Sequence, residues 1–301
     1  MSGPARTPPS TLAGIALLVA AVACFAVLDT TTKFITLSVP VLMAMWFRFA
    51  FQAIATTAAL LPRRGWALPP TAHPKFQFLR GMLMTSTSLL AFFSLQYMPV
   101  GEFTAIVMIT PLVMTLLASL TLGERVSGLR WLLVVGGFIG TLIIIRPGGE
   151  RFSWAMLLPL GLVVSHAWFQ ILTSRLARTE DPVTLHFYTG WTGTLLASLA
   201  LPFAWTWLDS WTLWAGLALM GLMGTVGHFL MILAYARAPV STLTPFLYAQ
   251  IGFAMLGGWL AFSHVPDHLS LMGIGLIAVC GATGAWLAVR ENRLITEPAP
   301  S

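Results

Sequence analysis

The sequence predicts an all-α integral membrane fold: ten transmembrane helices arranged as two inverted five-helix repeats. Three observations carry this. About ten apolar stretches of roughly 20 residues follow one another along the 301 residues, each long enough to cross a ~30 Å hydrocarbon core as a helix rising ~1.5 Å per residue. With 57% hydrophobic and 9% charged residues and a mean hydropathy of +0.84, the chain has too little polar surface to cover a soluble globule. The third is internal repetition. A shift of 140 residues lays Gly81, Thr85, Leu90, Pro99, Val100 and Thr104 on Gly221, Thr225, Leu230, Pro239, Val240 and Thr244, and a shift of 142 lays Thr31, Thr32, Lys33, Pro40 and Val41 on Thr173, Ser174, Arg175, Pro182 and Val183. Because five is odd, the second copy enters the membrane upside down relative to the first.

The spans run over about residues 11–35, 40–61, 76–97, 101–122, 128–146, 153–176, 183–203, 211–235, 240–262 and 269–290. The first has no small-residue cleavage site after it and reads as a retained span rather than a signal peptide. The others are divided by turn and breaker residues at Pro40, Arg63-Arg64-Gly65, Pro99, Gly123, Pro147-Gly148-Gly149, Asp181-Pro182, Pro239 and Pro266. The two repeats are therefore 11–146 and 153–290, with 1–10 and 291–301 as short cytoplasmic tails. Mid-span Pro111 is a candidate hinge, because proline removes one backbone hydrogen bond. Gly136 with Gly140, the run Gly221, Gly224, Gly227, and Gly257-Gly258 are close-approach faces. Cys24 and Cys280 sit in apolar runs without metal or redox spacing and are read as packing residues.

Orientation follows from the cations. Arg6, Arg63, Arg64, Lys75, Arg80, Arg125, Arg130, Arg175, Arg178, Arg237, Arg290 and Arg293 fall on the side of the termini; Lys33, Arg146 and Arg151 fall on the other. The bias places both termini in the cytoplasm of a bacterial-type inner membrane, and it accounts for the net charge of +6 without a nucleic-acid partner. Trp205, Trp207, Trp211 and Trp214 then cluster at an outer aromatic belt.

Polar groups at bilayer depth are costly unless they face the bundle interior or a watery cavity. His166 and Gln170 share a face of span six, one turn apart, and His228 lies near the middle of span eight as the repeat counterpart of Ser88. Span nine adds Thr244, Tyr248 and Gln250, and span three the run Thr85, Ser86, Thr87, Ser88. His166, Gln170, His228, Tyr248, Gln250, Ser88 and Thr85 are the candidate substrate-binding residues. Serines and threonines in membrane helices commonly bond their own backbone, and a buried histidine or tyrosine also serves in packing. Asp29 and Arg48 are the charges that these spans place well inside the membrane. A lone ion there is expensive, so Asp29 is expected to pair with Arg48 or with Lys33 one turn away, or to couple transport to protons.

The chain resembles the EamA-type, ten-helix exporters of the drug/metabolite transporter superfamily. The resemblance rests on Arg48-Phe49 in span two, Pro99-Val100 leading into span four, Thr110-Pro111 at its middle and Leu122-Gly123-Glu124-Arg125 at its end. In the second half Ile251 stands for Pro111 and Ser263-His264 for the Gly-Glu pair. The resemblance implies alternating access and export of small metabolites, amino acids first. The residues themselves speak for a secondary transporter of neutral or zwitterionic solutes, with a nucleotide-sugar or vitamin carrier as the alternative. A membrane-embedded enzyme lacks support, because HExxH, GxSxG and paired intramembrane aspartates are absent. A channel lacks repeated selectivity motifs. No cofactor or metal is expected, the partners are a small-molecule substrate and the lipid bilayer, and the protein is expected to be a monomer.

Overall fold

Helix ends fall where the chain's prolines and glycines interrupt the apolar runs. In a computed structural model the chain forms helices α1 (Thr11–Thr36), α2 (Val41–Arg64), α3 (Pro74–Tyr97), α4 (Val100–Val107), α5 (Gly128–Ile145), α6 (Leu158–Leu176), α7 (Pro182–Ala204), α8 (Trp211–Tyr235), α9 (Ala249–Phe262) and α10 (His268–Thr296). The structure describes residues 11–65, 67–113, 117, 128–149, 152–176, 179–235, 237, 243 and 246–296. Thr244, Pro239, Val240, the 122–125 signature, the 1–10 tail and residues 297–301 lie outside them. α7 shows how an end is set: Pro182 takes the first helical position, where no N–H is needed, and the Asp181 carboxylate accepts from Val183 N (3.0 Å) and Thr184 N (3.2 Å). Gly65 ends α2 at φ 58°, a left-handed position that suits glycine, and its N–H returns to Leu61 O at 2.9 Å.

Spans four and nine are where the helices depart from uniform 20-residue spans. α4 stops at Val107, four residues before Pro111. Pro111 favours that break, since the proline ring clashes with the carbonyl of residue i−4 and offers it no N–H. The freed Val107 carbonyl is taken instead by Thr110 Oγ1 at 2.6 Å, and Ile109 N turns back to Ile106 O at 3.0 Å. The helix break is therefore at Met108–Ile109, just upstream of Pro111, with helix resuming over 110–113. α9 begins after a turn at Tyr248, where Ile251 N reaches Tyr248 O at 3.1 Å, and no proline stands there. The two breaks are separated by the repeat shift of 140.

Packing runs mainly between helices distant in sequence. α1 lies on α8 and α9, α2 on α7 and α8, α3 on α6 and α7, α4 on α9, and α5 on α10. Glycines set the closest approaches: Gly81 of α3 faces Thr192 of α7, Gly221 of α8 faces Phe51 of α2, and Gly140 of α5 meets Ile277 and the Gly273 carbonyl of α10. Five described helical segments, in α1, α2, α3, α6 and α8, are long and apolar enough to cross a membrane. Large apolar side chains cover the outside, Phe203 at 91% and Leu132 at 65% exposure among them, which suits lipid and not water. The protein is a multi-pass, all-helical membrane protein.

Candidate functional site

α2 supplies the centre of the polar interior. Arg48 and Gln52 lie one turn apart on its buried face, each about as enclosed as a core leucine. Arg48 donates from Nη1 to Ser88 Oγ of α3 (2.9 Å) and from Nη2 to His228 Nε2 of α8 (3.2 Å), while its guanidinium lies 4.8 Å from the Phe49 ring centre. Since a guanidinium only donates, His228 Nε2 is an acceptor and the ring carries its proton on Nδ1. Phe25 of α1 meets the edge of the His228 ring, with centroids 4.8 Å apart.

Below this lies a second layer. Gln52 Nε2 contacts both the His186 carbonyl (3.0 Å) and His186 Nδ1 (3.2 Å), and the His186 and His228 rings are 6.3 Å apart. Arg80 of α3 is buried beside them. It donates to Leu185 O (3.2 and 2.9 Å) and Thr189 Oγ1 (3.0 Å) and faces the Phe169 ring at 5.2 Å. His166 stacks on Phe169, with centroids 6.0 Å apart and its buried Nδ1 without a partner. Among the described residues neither Arg48 nor Arg80 forms an ion pair.

The expected pairing of Asp29 with Arg48 or Lys33 is not formed. Asp29 accepts from Gln250 Nε2 at 3.4 Å. Lys33 instead donates to Leu95 O and Met98 O, 2.9 Å each, because the last carbonyls of α3 have no helical N–H partners and a lysine stem can reach them. Of the other sequence candidates, Ser88 and His228 meet on Arg48, and Gln250 meets Asp29. Thr85 bonds its own helix at Gly81 O (2.8 Å) and Gln170 is half-buried one turn beyond His166. The Tyr248 hydroxyl is buried against Gly281 of α10 without a hydrogen-bond partner, which separates it from the Arg48 cluster.

Arg80, Gln52 and His186 escaped the sequence reading. Arg80 falls among the cations of the termini side in sequence, yet it lies eight residues before Ser88 and shares the buried face of α3 with it, a signal the spacing contains. Gln52 is likewise one turn beyond Arg48.

A cavity of about 420 Å³ opens between α2, α7 and α8 at the end of the bundle carrying Asp181, and His186 and Thr225 line it. A larger depression of about 540 Å³ lies at the opposite end, among residues 36–40 and 206–210, and touches none of the cluster. At that opposite end the helices are tied. Buried Glu102, at the start of α4, meets His264 Nε2 at 3.1 Å, and Arg146, after α5, pairs with Asp267 before α10. The hydrogen bond from Arg146, reinforced by Ser270, holds the Asp267 carboxyl well below its usual range.

These features can be set beside known proteins. Residues 12–146 match the EamA-like transporter family. A riboflavin transporter of Rhizobium johnstonii is 29% identical over 98% of this chain and 96% of its own length. An S-adenosylmethionine uptake transporter of Rickettsia bellii is 26% identical over 83% of this chain and 85% of its own. A solved structure titled only as the crystal structure of a protein shares the fold at a TM-score of 0.67 and 18% identity, covering 93% of this chain and all but 1% of that one (99%). Residues 12–146 thus carry the EamA-like transporter domain, and over nearly its whole length the chain is similar to proteins named as transporters.

Proposed function

We propose that the chain is an inner-membrane carrier built from two inverted five-helix repeats, 11–146 and 153–290, that moves a neutral heteroaromatic metabolite of vitamin or nucleoside type, riboflavin foremost, by alternating access. The packing supports the repeat: exchanging α1–α5 for α6–α10 in order turns α1 on α8 into α6 on α3, turns α2 on α8 into α7 on α3, and leaves α2 on α7, α4 on α9 and α5 on α10 in place. Helix breaks at Met108–Ile109 and Tyr248, interrupting equivalent spans, are what carriers use to bring backbone and polar groups to a midplane site. The observation that carries the reading is Arg48, held between Ser88 of one half and His228 of the other. A group so placed binds a solute and senses the relative motion of the halves. Ties at the Glu102–His264 and Arg146–Asp267 end, with a cavity at the Asp181 end, fit one of the two access states.

A vitamin or nucleoside-type solute is preferred to an amino acid because a riboflavin carrier aligns with nearly the whole chain and because aromatic rings (Phe25, His228, Phe169) flank the cluster. S-adenosylmethionine shares a heteroaromatic ring and a polyol with riboflavin, but its sulfonium charge is opposed by Arg48 and Arg80. Net direction in such a carrier is set by gradients and coupling, so both export and uptake are compatible with the site. Counterflow in proteoliposomes tests the reading. Labelled riboflavin should enter vesicles preloaded with unlabelled riboflavin well above empty-vesicle controls, and more than labelled phenylalanine does. Counterflow of phenylalanine without riboflavin would replace the vitamin reading by the amino-acid one.

A further inference from the structure

Two residues that line the cavity between α2, α7 and α8, His186 and Thr225, carry buried polar atoms, Nε2 and Oγ1, that have no hydrogen-bond partner in the protein. His186 is only 5% exposed, and the walls around it (Ala55, Ala59, Phe229) are apolar. A buried polar atom against apolar walls is costly unless a ligand completes it.

Which kind of ligand follows from Gln52. The His186 carbonyl can only accept, so the group 3.0 Å from it must be the Gln52 amide nitrogen, and that orientation is thereby fixed. The same nitrogen lies 3.2 Å from His186 Nδ1, so its second N–H is donated there and Nδ1 is an acceptor. The neutral imidazole then carries its proton on Nε2, the atom without a partner. A comparable constraint from Arg48 puts the His228 proton on Nδ1. Among the residues lining the cavity, His186 thus offers an N–H donor, with the Thr225 hydroxyl beside it, and asks for an acceptor.

We propose, resting on the carrier reading above, that this cavity binds the ring carbonyl of a neutral heteroaromatic solute, such as a pyrimidinedione, through His186 Nε2–H and Thr225 Oγ1. Gln52 is a positioning residue that holds His186 in the donor tautomer. A solute presenting an amino group in place of that carbonyl sets N–H against N–H and is rejected.

Equilibrium dialysis of the detergent-solubilised full chain tests this with riboflavin, uridine and cytidine. The last two differ at the ring edge, where a carbonyl and N–H of uridine are replaced by an amino group and a bare nitrogen. Wild type should prefer uridine to cytidine. His186→Phe keeps a ring but removes the donor and should weaken riboflavin and uridine about fivefold to tenfold while sparing cytidine. Gln52→Glu accepts from Nδ1–H, turns Nε2 into an acceptor, and should shift the uridine-to-cytidine ratio further, in favour of cytidine. Fold retention is read from the melting temperature, and His186→Phe carries the test if Gln52→Glu does not fold. A ratio unchanged in the folded variants would overturn the proposal even if riboflavin is carried. No riboflavin binding together with a ratio that responds would overturn the riboflavin reading and leave the donor site standing. Absence of binding by all three would contradict both.

Discussion

A guanidinium inside a bilayer persists only where its donors are occupied, and Arg48 meets that demand with neutral partners, Ser88, His228 and the Phe49 face, instead of a carboxylate. That choice leaves its charge available to a solute. It also separates the roles of the embedded ions. Because Asp29 accepts one long bond from Gln250 and pairs with no cation, Asp29→Asn keeps an oxygen for Gln250 and should change stability by no more than about 1 kcal/mol. A large drop in melting temperature would show that the carboxylate balances Arg48 from a distance. The presence of costly polar residues was legible in the sequence, and so was the kinship of Ser88 and His228 through the repeat. Their partners were not, because a helical wheel gives a face but not which neighbouring helix that face meets. Lys33 illustrates the limit: its partner is a pair of carbonyls, which no side-chain inventory contains.

At the scale of single helices, Pro111 acts where its chemistry favours a break, by ending α4 at Val107. Pro111→Ala would restore an N–H for the Val107 carbonyl and favour a continuous helix. The variant should melt higher and transport more slowly if the break at Met108–Ile109 flexes during the cycle, and equal turnover with a higher melting temperature would remove the hinge role. The break at Tyr248 could not be placed from span nine by the repeat, which has Ile251 at the position equivalent to Pro111, while the proline of that span, Pro245, stands three residues before the turn. The helix ends also carry the ties of the closed end. Asp267 is held below the usual carboxylate range by Arg146, so the pair is intact above the ordinary carboxylate pKa and is lost as pH falls through the lowered one. Both side chains are more than a third accessible or nearly so, at 34% and 44%, and the tie is correspondingly weak. Asp267→Asn should therefore leave the melting temperature almost unchanged. It should raise the alkylation rate of a cysteine placed at Ser38 by a few-fold, and an unaltered rate would show that Glu102–His264 holds that end alone.

Across the whole molecule, the apolar segments were enough to give the order of the described helices, since hydrophobic thickness fixes segment length. The pairing of helices was not legible, because apolar faces are interchangeable in lipid and only close approaches such as Gly81 on Thr192 and Gly221 on Phe51 specify neighbours. The cation bias makes a further prediction: a cysteine replacing Ser210, at the end opposite Asp181, should react with a membrane-impermeant maleimide added to intact cells, whereas Thr71→Cys should not. The reverse pattern would invert the topology. The central claim is that a solute binds at Arg48, between the two halves. The most direct measurement is riboflavin affinity by equilibrium dialysis for wild type, Arg48→Lys and Arg48→Met, with melting temperatures taken alongside. Since hydrogen bonds to a buried charge contribute about 1.5–3 kcal/mol, Arg48→Met should bind at least about tenfold more weakly while remaining folded, with Arg48→Lys intermediate. Wild-type affinity in both folded variants would contradict the account.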